Sequence, residues 1–169
     1  MMFDSRNAVT LGASLLLAAC ASTPPGTPGP QTLGSDLDRL EALYRYQMVN
    51  NASGQQQNAG VYCLAFGGSQ GSDPPAALFA RFGQSAAPVV PRSRCTVAPD
   101  SEGNVVRLTS GGRDGLILYV SSMTCAAPDS CTAEGGYYEA NLSASSNTYQ
   151  LARSGGRWVV TGNRLNAIS

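Results

Sequence analysis

The 169-residue sequence contains no histidine and no lysine, so all eleven of its basic side chains are arginines. A Ser-His-Asp triad, a zinc site with histidine ligands, a Schiff-base lysine and a Walker A lysine each need one of the two missing side chains. These absences exclude the most familiar hydrolytic, zinc-dependent and nucleotide-dependent chemistries for this chain.

The chain also lacks an excess of charge of either sign. Its eleven arginines are balanced by eleven Asp and Glu residues, and charged residues make up only 13% of the composition. Proteins that bind nucleic acid through its phosphates normally present a basic surface. We therefore expect no nucleic-acid partner. The length suits one domain of ordinary size and is too short for two.

An uncharged segment of 12 residues, at positions 8–19, lies near the start of the sequence. A membrane-spanning helix needs about 20 residues, whereas this length suits the apolar region of a signal peptide. The segment ends in Leu17-Ala18-Ala19-Cys20, which resembles the lipobox of bacterial lipoproteins. The resemblance implies that residues 1–19 are a signal peptide and that Cys20 receives acyl chains such as palmitate. The alternative is a plain signal peptide with a chance cysteine.

The residues after Cys20 predict where the protein resides. Lipoproteins that stay in the inner membrane usually carry Asp directly after the lipidated cysteine, and this sequence has Ala21 there. By this resemblance we expect lipid anchoring in the outer membrane, facing the periplasm, with the membrane as a partner. Residues 20–34 are rich in proline and glycine, which predicts an extended tether ahead of a single domain at residues 35–169.

Four cysteines remain once Cys20 is assigned to lipid, and an even number in an exported chain favours disulfides. Cys125 and Cys131 are six residues apart, which favours one short loop and leaves Cys63 to pair with Cys95. The other two pairings remain open. A zinc site is the competing interpretation, but the sequence has neither a CxxC pair nor a histidine. Free thiol catalysis lacks the histidine that commonly holds a thiolate as an ion pair.

Hydrophobic spacing predicts a helix at residues 36–50, opened by a capping box at Ser35 and Asp38. A short second helix is expected between Asp73, as its N-cap, and Gly83, as its stop. Apolar runs and alternation predict strands at residues 61–66, 92–98, 105–109, 116–123, 137–144, 148–153 and 158–161. Gly-Gly pairs at 67–68, 111–112, 135–136 and 155–156 are expected at strand ends, and a turn is expected at residues 145–147.

This element order indicates an α+β fold class, with an N-terminal helix and a short second helix packed on a curved, mostly antiparallel sheet of about five to six strands. The order, with a closing pattern of Tyr149, Leu151, Arg153, Gly156 and Trp158, resembles the cone-shaped fold of nuclear-transport-factor-2-like and cystatin-like proteins. The resemblance covers about residues 35–169 and implies a concave sheet. A four-stranded or barrel-like arrangement is the alternative.

Two kinds of pattern are candidates for catalysis. The segment Gly-Gly-Ser-Gln-Gly around Ser69 matches the G-x-S-x-G nucleophile elbow, but the chain has neither His nor Lys to act as its base. Asp100 with Glu102, and Glu134 with Glu139, are carboxylate pairs whose spacing gives no evidence of a shared cleft, so we expect solvated side chains. We therefore predict no catalytic residue, no metal ligand and no cofactor.

Five aromatic residues in the predicted elements are candidates for ligand binding, since aromatic side chains combine contact area with a polar edge. They are Tyr62, Tyr119, Tyr138, Tyr149 and Trp158, with core packing as the alternative, above all for Trp158. The sequence favours a non-catalytic binding or accessory module of the periplasm, with an envelope protein or a small ligand as partner. The alternatives are a small cone-fold isomerase, dehydratase or hydrolase using tyrosine and carboxylates, and a periplasmic inhibitor or immunity protein.

Overall fold

The structure, a computed structural model, describes Met1 and residues 33–55, 58–101 and 103–169. The predicted signal peptide, the lipidation site Cys20 and most of the predicted tether lie outside these residues. Residues Gln31–Ser169 form one compact unit. Within the described residues, no helix combines the length and apolar character needed to cross a membrane.

The first helix, α1, spans Leu33–Asn50 and therefore begins three residues earlier than predicted. Ser35 lies inside it, so the predicted capping box is wrong. The apolar stripe is as expected, because one face of α1 buries Leu37, Leu40, Leu43, Tyr44 and Met48. Burial of this stripe against the sheet holds the helix on one face of the domain.

The predicted second helix is a 3₁₀ helix of seven residues, Ala76–Phe82. Pro75 occupies its N-cap position and Asp73 does not cap it. Instead, the Asp73 carboxylate accepts hydrogen bonds from the main-chain N–H and the hydroxyl of Ser93, at 2.8 and 2.7 Å. The capping prediction at Asp73 is therefore wrong, because this side chain joins two connecting segments.

Eight strands form one mixed sheet: β1 (Tyr62–Phe66), β2 (Val89–Pro91), β3 (Cys95–Asp100), β4 (Gly103–Leu108), β5 (Leu116–Ala127), β6 (Ser130–Ala140), β7 (Ser143–Ser154) and β8 (Arg157–Ile168). β5 to β8 are consecutive antiparallel neighbours. β1 pairs in parallel with β5 on one side and with β2 on the other. The β3–β4 hairpin joins the end of β6, where Val105 pairs with Ala140.

The predicted α+β fold class, with two helices on five to six mostly antiparallel strands, is wrong. The sheet has eight strands and contains parallel pairs, and the described residues contain one α-helix accompanied only by 3₁₀ segments. The strands β5 to β8 are each 11 or 12 residues long, well beyond the predicted lengths. Polar residues and glycines at their ends interrupt the apolar alternation on which strand prediction depends.

Gly135 and Gly136 lie inside β6, so their predicted place at a strand end is wrong. A Cβ on Gly136 would overlap the Ser145 carbonyl of β7, and one on Gly135 would overlap the Tyr119 carbonyl of β5. Glycine is required here because the neighbouring backbones approach so closely. The predicted turn at residues 145–147 is also wrong, since these residues lie within β7 and the chain turns between Ala140 and Ser143.

The sheet buries apolar side chains on both of its faces. On the α1 face, Leu64 of β1, Leu118 of β5 and Leu151 of β7 belong to one core with the helix stripe. On the other face, a smaller core joins Val61 and Ile117 to residues of β3 and β4. β1 is buried from Tyr62 to Ala65, so both faces of this strand are covered.

Candidate functional site

The structure contains two disulfides, which confirms the disulfide prediction. Cys63 of β1 is bonded to Cys95 of β3, and Cys125 of β5 is bonded to Cys131 of β6. These are the two pairs that the cysteine spacing favoured. The first bond ties β1 to the hairpin on the face away from α1, and the second closes the tip of the β5–β6 hairpin.

The five aromatic candidates are divided between the two faces of the sheet and do not line one surface. Tyr62, Tyr149 and Trp158 are buried in the core under α1, with 4–7% of their surface exposed. Tyr119 and Tyr138 are partly buried against the smaller core on the opposite face. Of the five, Tyr149 borders a cleft that combines it with other polar groups.

Ser69 of the G-x-S-x-G match lies in a tight turn between Phe66 and Ser72, which form an isolated antiparallel bridge. The Arg92 guanidinium donates to the Ser69 carbonyl at 2.8 Å and to the Gln70 amide oxygen at 2.9 Å. These contacts make the segment a braced connection between β1 and the chain that follows it.

Glu134 and Glu139 are not brought together into a common cleft. Glu134 accepts hydrogen bonds from side chains of β7 and β8 on the exposed surface. Glu139, at the other end of β6, accepts from the Gly54 main-chain N–H at 2.9 Å and from the Ser143 hydroxyl at 2.6 Å. Glu102, the other carboxylate of the Asp100 pair, lies outside the described residues.

A cavity of about 750 Å³ lies between the β3–β4 hairpin and the segment after α1. Each charged side chain of its lining already has a partner. Arg107 pairs with Asp100 and, at 3.4 Å, with Asp114. Arg113 donates to the Gly60 carbonyl at 3.3 Å, and Glu139 accepts the two hydrogen bonds given above. Hydrogen bonds from Ser101 hold the pKa of the Asp100 carboxyl below its ordinary value, and the charge of Arg107 adds to this effect. A cavity whose charges are already paired gives little reason for a ligand to bind there.

A smaller cleft of about 200 Å³ lies between the C-terminal end of α1 and the strands β6 to β8. We call it the amide cleft, because its polar lining consists mainly of side-chain amides, with hydroxyls beside them. These polar residues are Gln47, Asn50, Asn51, Tyr137, Ser145, Asn147, Tyr149 and Asn163. None of the described residues that line it is charged. The cleft therefore offers neutral hydrogen-bonding groups beside an aromatic ring.

Gln47 is the central residue of the amide cleft and only 2% of its surface is exposed. Its Nε2 donates to the main-chain carbonyl of Tyr119 at 3.0 Å and lies 3.4 Å from the Tyr149 hydroxyl. Its Oε1 is buried and has no hydrogen-bond partner within the part of the chain that the structure describes. If the side-chain amide were flipped by 180°, Oε1 would face the Tyr119 carbonyl oxygen, and two acceptors cannot form a hydrogen bond with each other. Nε2 therefore faces that carbonyl, and the atom without a partner is the acceptor Oε1. Leaving such a group unpaired costs about 1–3 kcal/mol.

The other polar groups of the cleft are held in place by one another. The Ser145 hydroxyl donates to Asn147 Oδ1, and Asn147 Nδ2 donates to Asn163 Oδ1, both at 2.9 Å. Burial raises the pKa of Tyr149 to about 12, so its hydroxyl stays protonated at neutral pH. The cleft is thus a preorganised set of neutral donors and acceptors.

Of the residues that line the amide cleft, Tyr149 is one of the aromatic candidates from the sequence, whereas none of the amides is. Asn147 was assigned to a turn, and Gln47 was passed over although it follows Leu40 and Leu43 at helical spacing on the buried stripe. A polar side chain within an apolar stripe is the signal that identifies such a position, because buried polar groups need partners.

The chain matches no family model, no curated protein and no solved structure. Its resemblances to bacterial lipoproteins and to cone-shaped folds therefore stay predictions. Among the described residues, no group of three or more His, Cys, Asp and Glu side chains is arranged to hold a metal ion.

Proposed function

We propose that this protein is a lipid-anchored component of the cell envelope whose domain binds a small, neutral, polar ligand in the amide cleft. The observation that carries the proposal is the buried and unpaired Gln47 Oε1. A ligand N–H or O–H donated to this atom would recover the free energy that the unpaired acceptor costs the folded protein.

The lining favours a neutral ligand with several hydrogen-bonding groups. Neutral amides and hydroxyls can pair with hydroxyl and amide groups of a sugar-sized molecule, while the described lining supplies no cation for a carboxylate or phosphate. The ring of Tyr149 adds apolar contact area. The volume of about 200 Å³ suits a ligand of one sugar ring.

The cleft chemistry also favours binding over catalysis. General acid–base catalysis at neutral pH works best with a group that titrates near that pH. The pKa of Tyr149 is raised to about 12, which makes its hydroxyl a hydrogen-bonding group under these conditions. The amides of Gln47 and Asn147 do not titrate. We therefore place the non-catalytic hypothesis ahead of the cone-fold enzyme.

The envelope location is supported by two independent features. Leu17-Ala18-Ala19-Cys20 has the pattern of a lipobox, and two disulfides fit an oxidising compartment. Metabolic labelling of the producing cells with a clickable fatty acid tests the anchor. We expect label on the mature chain in the outer-membrane fraction and none on Cys20→Ala, whereas an unlabelled mature chain would refute the anchor.

Binding can be tested by NMR titration with N-acetylglucosamine, whose hydroxyls and amide provide neutral donors and acceptors. We expect saturable shifts of the Gln47 side-chain amide and the Tyr149 ring, with a dissociation constant of about 1 mM for a ligand of this size. Gln47→Leu should abolish the shift of the Tyr149 ring, whereas Gln84→Leu, which replaces an exposed glutamine outside the cleft, should preserve both shifts.

Glycerol and acetamide provide smaller neutral probes in the same titration. Failure of all three probes to cause saturable shifts at the cleft would overturn the ligand-binding proposal. Shifts that persist unchanged in Gln47→Leu would place binding elsewhere and would overturn it as well.

A further inference from the structure

A buried guanidinium contacts the disulfide at the tip of the β5–β6 hairpin. Arg39 of α1 has only 4% of its surface exposed, and its Nη1 lies 2.7 Å from Cys125 Sγ and 3.6 Å from Cys131 Sγ. The guanidinium also stacks over the Trp158 ring, 5.2 Å from its centroid, and pairs with Asp36 at 3.0 Å. A positive charge is therefore held directly against both sulfur atoms.

The two sulfur atoms differ in their access to solvent. Cys125 is half-buried and borders a groove of about 340 Å³ whose apolar lining includes Leu40, Phe66 and Met123. Cys131 is 3% exposed. An incoming thiol therefore reaches Cys125 before Cys131. It enters through the groove, whose apolar side chains contact the uncharged parts of a small molecule.

The Cys63–Cys95 disulfide differs from this one in the solvent access of its sulfurs and in the groups that surround them. Cys63 is 0% exposed and Cys95 4%, and both sulfurs belong to the smaller apolar core. Val61, Val106 and Ile117 belong to the same core. A guanidinium is nearby as well, but Arg92 Nη1 donates to the main-chain carbonyl of Cys95, at 2.6 Å, and not to a sulfur. The same molecule therefore contains a comparison disulfide that is buried and whose sulfurs do not accept a hydrogen bond from this arginine.

We propose that the Cys125–Cys131 disulfide is redox-active and exchanges with small thiols, and that Arg39 stabilises the thiolate released in each step. Free thiol chemistry was not expected from the sequence, because it lacks the histidine that commonly serves as the cation. The Arg39 guanidinium, which is 86 residues from Cys125 in the sequence, supplies the positive charge instead.

The exchange consists of two balanced steps. A thiolate RS⁻ attacks Cys125 Sγ, the S–S bond breaks, and Cys131 leaves as a thiolate beside the Arg39 guanidinium while RS–S–Cys125 forms. A second RS⁻ attacks the sulfur of the R group in this mixed disulfide, which releases RSSR and leaves Cys125 as a thiolate. Two electrons pass from the two thiols to the protein disulfide, and each protein thiolate takes up a proton according to the pH.

Arg39 assists both steps because it lies within 3.6 Å of both sulfurs. A cation beside a sulfur favours the thiolate, and a more stable leaving thiolate departs faster. Asp36 is the charged group that borders the same groove with Arg39. Its side chain is 44% exposed whereas that of Arg39 is 5% exposed, so solvent screens the carboxylate more than the guanidinium.

The test is a timed reduction of the full chain with dithiothreitol, quenched by alkylation and followed by peptide mass spectrometry of each cysteine. We expect Cys125–Cys131 to be reduced at least about tenfold faster than Cys63–Cys95. Arg39→Gln should slow the reduction of Cys125–Cys131 by about tenfold, while Arg39→Lys retains most of the rate. Arg45→Gln, which removes an exposed arginine of the same helix, should change neither disulfide.

The sign of the Arg39→Gln effect separates this proposal from a purely structural role. If Arg39 only packed the hairpin against α1, its loss would loosen the tip and speed reduction. Faster or unchanged reduction in a folded Arg39→Gln variant would therefore overturn the proposal, as would equal reduction rates for the two disulfides in the unmodified chain.

If Arg39→Gln does not fold, the unmodified chain still provides a decisive measurement. After selective reduction of Cys125–Cys131, the rate of alkylation of Cys125 is followed against pH. We expect its midpoint clearly below about 8.5, the pKa of a free cysteine thiol. A midpoint at or above that value would overturn the assignment of Arg39 as a thiolate partner.

Discussion

The Tyr119 hydroxyl donates a hydrogen bond to the main-chain carbonyl of Ser145 at 2.8 Å, directly across Gly136. Tyr119 belongs to β5 and Ser145 to β7, so one side chain joins two strands that are not neighbours in the sheet. The intervening strand, β6, has no side chain at this position. The Tyr119 phenol lies over Gly136, and it has room there because glycine has no Cβ.

This arrangement predicts the cost of a methyl group at Gly136. In Gly136→Ala, the new Cβ would overlap the Ser145 carbonyl and lie 3.0 Å from the Tyr119 hydroxyl. We expect a loss of at least about 2 kcal/mol in the free energy of unfolding, measured by urea denaturation. Gly162→Ala is the matched control on β8, where the nearest atom would be 3.5 Å away. An equal loss in both variants would contradict this explanation.

The two disulfides close loops of different length and are expected to contribute unequally to stability. Cys63 and Cys95 are 32 residues apart, whereas Cys125 and Cys131 are six apart. Chain-entropy arguments give about 3.7 kcal/mol for the longer loop and about 2.3 kcal/mol for the shorter one. Urea unfolding of the two paired cysteine-to-alanine variants measures the difference. A larger loss from opening the shorter loop would show that native contacts outweigh chain entropy.

Tyr149 predicts a loss of stability at alkaline pH. Its pKa is raised by burial to about 12, while an unfolded tyrosine ionises near pH 10. The contribution of the buried phenol is therefore complete below about pH 10 and is lost as the pH rises to about 12, by about 3 kcal/mol in total. Tyr149→Phe should flatten the stability curve in this range, measured by urea unfolding at pH 9 and pH 11.5. An unchanged slope would show that other groups cause the alkaline loss.

Gln47 predicts a separation of stability from binding. Gln47→Leu removes the donor to the Tyr119 carbonyl but also removes the unpaired Oε1, so the two effects offset and we expect a change within about 1 kcal/mol. Gln47→Glu buries a carboxylate in the same place and should cost clearly more. Thermal unfolding of both variants provides the comparison. A large loss in Gln47→Leu would mean that the glutamine is mainly structural.

Local elements were predictable where burial alone determines them. β1 was located to within one residue because all but its last side chain are buried, which produces a short continuous apolar run. The apolar stripe of α1 was found for the same reason. The parallel pairing of Tyr62 with Leu116 was not predictable, since nothing local to either strand specifies a partner so distant in sequence.

The site was less predictable than the elements that carry it. Gln47, Asn147 and Asn163 come from α1, β7 and β8, and only the folded chain brings them together. Arg39 and Cys125 meet in the same way across 86 positions of sequence. The composition shows that arginine is the basic side chain available to this protein. Which groups Arg39 contacts depends on how α1 packs on the sheet, and the sequence pattern does not give that packing.

The order of pairing in the sheet has a consequence for how the domain forms in time. β5 to β8 are joined by short connections and can assemble as successive hairpins soon after each is made, because short loops close quickly. β1 is synthesised before them, yet its neighbour β5 follows only after β2, β3 and β4. β1 can therefore pair early with β2, but its other edge stays open until β5 has been made. We expect nascent chains to be exposed to aggregation at this open edge until β5 docks.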